Sequence, residues 1–286
     1  MFGECHAHMI MDGINYKAAV ALHREGVQDH VVRRRLRAWQ EAGVSFVRDG
    51  GDALGVSLRA RELASEYGID YRTPVFAIHK KEHYGKIVGR AFEDLGEYRE
   101  LVRQVRCLGG NFIKIMISGI MDFDRFGVLS EPGLEAWEIR EMIQIAHEEG
   151  FAVMIHGNGA RQVSAALEAG ADSIEHGNYL TEEVLCQLSE SRTVWVPTLA
   201  PTGNLRGCGR FSEEAVNEIL ECQIENVRRG AELGACIGLG SDAGAYRVFH
   251  GQGLLDEYAY MRQAVPDEKA LEDMLREAEK RIRSLF

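Results

Sequence analysis

Short β-branched apolar runs alternate along the chain with longer segments whose apolar residues recur every three to four positions. The runs predict strands over Phe2–His8, Val44–Asp49, Tyr71–His79, Phe112–Ile117, Ala152–His156, Ser173–His176, Val194–Leu199 and Cys236–Ser241. Helical spacing falls between them. Ala53–Tyr67 carries Leu54, Leu58, Leu63 and Ala64, Leu134–Glu149 carries Trp137, Met142, Ile145 and Ala146, and Glu213–Leu233 carries Val216, Ile219, Ile224 and Val227. Gly43, Gly68, Gly150, Gly170 and Gly234 each stand just before the next strand, where helices tend to end. Repeated eightfold, this unit predicts the α/β class and a (β/α)8 TIM barrel, a single domain over residues 1–286. The most irregular stretches, Ala200–Phe211 and Ile120–Gly133, follow strand C-termini, the side where such barrels keep their chemistry.

Composition adds little to that picture. The 286 residues are 45% hydrophobic and 27% charged, ordinary for a globular chain that can bury a large core. A formal net charge of −11 disfavours nucleic acid and leaves a small molecule as the expected substrate. The basic run Arg33-Arg34-Arg35 reads as a solvated helix face. The six cysteines are scattered without a CxxC pair, which predicts reduced thiols and a cytoplasmic location. No basic-then-apolar leader is visible, and no apolar run approaches the ~18 residues a membrane span needs. Self-association into a homo-oligomer, common among barrel enzymes, is the one protein partnership expected.

The unusual polar residues fall at strand ends. His6 and His8 stand at i, i+2 on the first predicted strand and therefore project to the same side. Lys114 lies inside Phe-Ile-Lys-Ile-Met-Ile, His156 and His176 end the fifth and sixth strands, and Asp242 ends the eighth. Each taken singly has a structural reading, since a strand-end histidine is commonly just hydrogen-bonded. A lysine between isoleucines in a central strand is harder to place, because its ammonium would enter a low-dielectric interior. Either a buried acid compensates it, or the neutral amine has reacted with CO2 to give a carbamate that bridges two cations. Together the six residues predict a metal site.

In this order they resemble the amidohydrolase superfamily. The strings GECHAHM, GVSFVRDGGD, FIKIMISG, GADSIEHGNYL and GLGSDAG are similar to its imidazolonepropionase-like branch, which includes Xaa-Pro dipeptidases. The resemblance implies two divalent metal ions. His6 and His8 would hold one with Asp242, and His156 and His176 the other. Lys114, carboxylated by CO2, would bridge them. It further implies that His83 and Tyr179 touch the substrate carbonyl. Two departures matter. Most members of the branch carry flanking segments that pair into a β-sandwich, whereas HxH stands here at residue 6 and the chain stops after a charged helix over Asp267–Ser284, so a barrel without the sandwich is expected. Asn158, in HGNG, stands where many relatives have a second histidine.

Imidazole and carboxylate donors suit Zn2+. The expected reaction is hydrolysis of an amide, peptide or cyclic amide by a water activated between two cations, with Asp242 moving the proton. A lactonase or esterase on the same centre remains an alternative. A mononuclear deaminase is a second, which Lys114 argues against, and a non-catalytic metal-binding protein is the last. Asn158 and the loop residues Arg206, Arg210 and Arg247 are candidates for substrate contact, with surface arginine as the competing reading for the last three.

Overall fold

Strand residues in this chain alternate between two environments, and that alternation shapes the structure, a computed structural model describing residues 2–286. In β6 (Ile113–Met116) the side chains of Ile113 and Ile115 are fully buried in the apolar core, while Lys114 and Met116 turn to the opposite face and line a cavity. All strands pair in parallel, which requires a crossover between neighbours. β1 (Glu4–Ala7), β2 (Phe46–Asp49) and β3 (Asp70–Arg72) form one sheet in that order. The other runs β5-β4-β6-β7-β8-β9, with β4 over Ala77–Lys80, β5 over Gly89–Phe92, β7 over Val153–Gly157, β8 over Ser173–His176 and β9 over Val194–Val196.

The two sheets are joined at both ends by irregular backbone. On one side, segment 73–76 receives a bond from Asp52 N to Val75 O (2.9 Å) and another from Asn111 N to Thr73 O (2.9 Å). On the other, segment 236–243 bonds to both neighbours, through Trp195 N to Cys236 O (2.8 Å), Cys5 N to Leu239 O (3.0 Å) and Asp242 N to His6 O (2.8 Å). The predicted strand Tyr71–His79 is therefore two strands, broken where Pro74 has no N–H and Val75 sits at φ 72°. The predicted strand Cys236–Ser241 forms only one isolated bridge, Ile237 with Trp195, and Ala243 just beyond it bridges to Ala7. β5 was not expected, because Gly89-Arg90-Ala91-Phe92 lacks a β-branched run.

Helices cover the outer faces. Asp94, Ser212 and Asp267 accept bonds from the first-turn amides of helices Leu95–Cys107, Glu213–Leu233 and Glu268–Leu285. Gly234 closes the second of these at φ 87°, a conformation that costs glycine nothing. At the N-terminal strand ends Phe46, Phe112, Met154 and Val194 pack with Ile282 and Phe286 of the last helix into a separate apolar cluster. That end is a sealed floor, and the polar residues collect at the other. The arginine run lies on helix Asp29–Glu41, but only partly as a solvated face. Arg33 pairs with Glu66 near the surface, whereas Arg35 is 5% exposed and donates to Met9 O.

Candidate active site

At the C-terminal strand ends the structure brings His6, His8, Lys114, His156, His176 and Asp242 to one cavity of about 390 Å3. His6 and His8 enter side by side from the end of β1, with ring centroids 5.4 Å apart. Each has its Nε2 3.5 Å from Asp242 Oδ1. His176, at the end of β8, has its ring 5.0 Å from that of His6 and 4.6 Å from that of His156 on β7. Lys114 is 1% exposed on the cavity wall.

Burial sets the protonation of this cluster. Loss of hydration, followed by the neighbouring positive charge of Lys114, pulls His8 and His156 down to about 3. His6 and His176 are lowered well below the ordinary imidazole value, again by burial first. Burial likewise lowers Lys114 to about 8 and raises Asp242 to about 7. Neutral imidazoles are the form that ligates metal. Four buried atoms of these residues, His6 Nε2, His8 Nδ1, Lys114 Nζ and Asp242 Oδ1, have no hydrogen-bond partner among the described residues. Such orphans are costly in a protein interior. The donor atoms of His6, His8 and Asp242 lie within 4.8 Å of one another, so the residues fit a divalent cation.

Around the ligands lies a second layer of contacts. Glu175 on β8 accepts at 2.6 Å from His6 Nδ1, which leaves Nε2 facing the cavity. Glu175 is held in turn by Ser173 Oγ (2.6 Å) and by Arg48 Nη2 (2.7 Å), and Arg48 also donates to Cys5 O. Thr198 Oγ1 lies 2.7 Å from His176 Nδ1. Glu4 binds both Ser241 N (2.7 Å) and Ser241 Oγ (2.6 Å), fixing the turn that carries Asp242. His176, Thr198 and Asp242 all sit at positive φ (69°, 51° and 57°), and strain of this kind persists where surroundings over-determine it. Space is equally fixed. A Cβ on Gly50 would lie 2.3 Å from the His8 ring, and one on Gly240 would lie 2.7 Å from His6 N.

The remaining candidates behave differently. His83 pairs with Glu131 (3.2 Å) and does not line the cavity. Tyr179, at φ 60°, turns its ring onto Phe126, 5.4 Å between centroids, and is also absent from the lining. Tyr84 lines the cavity instead, with its ring 5.0 Å from His156, and burial together with the charge of Asp242 keeps its phenol protonated. Asn158 borders the cavity but spends its amide within the protein, donating to Gly119 O (2.9 Å) and accepting from Asn178 Nδ2 (2.7 Å). Arg206, Arg210 and Arg247 border neighbouring surface hollows. Sequence reasoning missed Tyr84, Arg48 and Glu175. The last two carried a signal, being charged residues inside buried strands.

The amidohydrolase family pattern matches residues 5–279, and the chain belongs to that family. It is 26% identical over 207 residues to ochratoxinase of Aspergillus niger, a match covering 70% of this chain and 41% of that protein. It is 29% identical over 131 residues to an uncharacterised protein of Mycobacterium tuberculosis, covering 44% and 35%. The matches thus span well under half the length of these relatives. Among solved structures, a Xaa-Pro dipeptidase with bound methionine superposes with a TM-score of 0.79 at 20% identity, over 99% of this chain and 75% of that one. The A. niger ochratoxinase structure gives 0.77 at 19% identity, over 96% and 68%. Both share this fold. Among the described residues no helix is long and apolar enough to cross a membrane.

Proposed function

We propose that this chain is a metal-dependent hydrolase of an amide bond, built on a (β/α)8 barrel whose wall passes through segments 73–76 and 236–243. The observation that carries the reading is the convergence of neutral imidazoles with unpartnered Lys114 Nζ and Asp242 Oδ1 on one cavity. His6, His8 and Asp242 would hold one divalent cation and His156 and His176 a second. Zn2+ suits these donors. Bound there, the cations would polarise the carbonyl and make water acidic enough to supply a nucleophile near neutral pH.

The chain's own residues do the rest. Lys114 has no internal acid hydrogen-bonded to its ammonium, and burial favours the free amine. That amine adds to CO2 with loss of one proton, giving a carbamate with oxygens for both ion sites. Asp242 takes a proton from water as its oxygen attacks the carbonyl carbon, then delivers it to the leaving nitrogen as the C–N bond breaks. The Tyr84 hydroxyl donates to the carbonyl oxygen as negative charge develops there. Glu175 and Thr198 keep His6 and His176 in the orientation the site needs.

The test joins composition to activity. Protein purified without chelator should carry close to two transition-metal ions per chain and hydrolyse neutral amides. One ion or fewer after reconstitution with Zn2+ and bicarbonate would refute the two-ion centre. No turnover of any amide, ester or lactone by metal-loaded protein would refute the hydrolase.

A further inference from the structure

The cavity above the cluster divides by chemistry. Its floor is the polar group just described. Its walls are apolar, from Ile87 and Val88 after the β4 loop, Met116 on β6, and Ile120, Met121 and Phe123 on the loop that follows β6. Among the described residues lining it, the one lysine or arginine is Lys114, at the floor. None of the three mouth-loop arginines lines it. Arg210 stacks at 4.6 Å over Tyr246, on the side of an adjoining hollow that shares that tyrosine, and Arg206 lies 5.7 Å over Tyr260 beside another hollow, which Arg247 also borders. Asn158 and Asn178 line the wall with their amides bonded to Gly119, to each other and to Gln223.

We infer that the substrate is a neutral amide with a bulky apolar group, held against the wall formed by Ile87, Val88, Ile120 and Phe123, and that a free carboxylate on that group is excluded. This rests on the hydrolase reading and names its substrate class. At that wall, away from the ion sites, a carboxylate would lose its hydration and meet no guanidinium or ammonium in return, a strong penalty against an apolar surface. The net charge of −11 adds a repulsive field on approach. A volume of about 390 Å3 is at the small end for ligand cavities and suits one or two rings.

Matched compounds test this in the metal-loaded full chain. The first pair is 2-phenyl-N-phenylacetamide and its congener with a para-carboxylate on the acyl ring, compared by kcat/KM. The second is the equivalent pair of sulfonamides, which resist hydrolysis, compared by calorimetric Kd. The neutral member should win by tenfold or more in each. Ile120→Lys, at a position already 38% exposed, should narrow or reverse both preferences while leaving the fold and metal content unchanged. Equal or tighter binding of the carboxylated sulfonamide overturns the inference whether or not any amide is cut. If the sulfonamides rank as expected and no amide is cleaved, the pocket's preference for an uncharged apolar group stands and the hydrolase reading falls.

Discussion

Replacing Arg48 with methionine isolates the energetics of the layer beneath the ligands. The guanidinium is fully buried on β2 and donates to Cys5 O at 2.7 Å, Ser173 Oγ at 2.8 Å and Glu175 Oε1 at 2.7 Å. Methionine approximates its stem but removes every donor, leaving the Glu175 carboxylate buried without its cation. Removing one partner of a buried ion pair costs about 3–5 kcal/mol. At roughly 2–4 °C per kcal/mol for a domain of this size, the melting temperature should fall by about 6–20 °C. Urea unfolding of the apo protein, followed by circular dichroism, gives the free energy without metal linkage. The double variant Arg48→Met/Glu175→Leu should regain at least half the loss, because an apolar replacement of both partners leaves no buried charge. Its metal affinity should nevertheless stay roughly 10–100-fold down, since His6 Nδ1 then lacks its acceptor. A single variant that loses less than about 1 kcal/mol would refute the reasoning, as would a double variant no more stable than the single.

Three further outcomes are expected. Tyr84→Phe should lower kcat by roughly 100-fold or more with unchanged metal content, the loss typical of a removed oxyanion donor, whereas Tyr179→Phe should change kcat little; the reverse order would place the catalytic phenol at Tyr179. Lys114→Ala should reduce metal content and kcat by orders of magnitude without unfolding the chain, and acetate or propionate should restore part of the activity; two retained ions with normal turnover would rule out the carbamate. Glu257, buried and bonded to Ala200 N, is raised from 4.5 to about 8 by burial, so its contribution to stability is complete below pH 4.5 and is lost as pH rises to about 8. Thermal melts of wild type relative to Glu257→Gln should therefore diverge progressively across that window, and parallel curves would disprove the assignment.

Much of the site was legible because strand parity is rigid. His6 and His8 at i, i+2, Lys114 between isoleucines, and histidines closing Val-Met-Ile-His and Ser-Ile-Glu-His can face only one way once the strands form. The desolvation argument that exposed Lys114 applies unchanged to Arg48 and Glu175, which also sit inside buried strands. Loop residues have no such rule. His83 and Tyr84 are adjacent, and which one enters the cavity depends on backbone at positive φ on either side, Glu82 at 66° and Gly85 at 132°. Gly85 must be glycine, since a Cβ would lie 2.7 Å from that of His79. Tyr179 is turned away by the same device. β5 was hidden because tertiary pairing, rather than local preference, decides it, whereas the break at Pro74 carried a signal in the proline itself.

The glycine collar around His6 and His8 constrains how this site can change over evolutionary time. With Gly50 and Gly240 already at contact distance of the ligand strand, side chains added there would displace the histidines themselves. Variation that preserves the chemistry is thereby channelled to the outer parts of the segments after β6 and β9, which carry Ile120, Met121, Phe123 and Pro201 along the cavity, beyond Gly119 and Thr198, which contact His156 and His176. New substrate ranges should arise in lineages of this protein through insertions and exchanges in those two segments, while the inner wall stays nearly frozen. A library there and at Ile87 and Val88 would vary the apolar wall without altering a ligand.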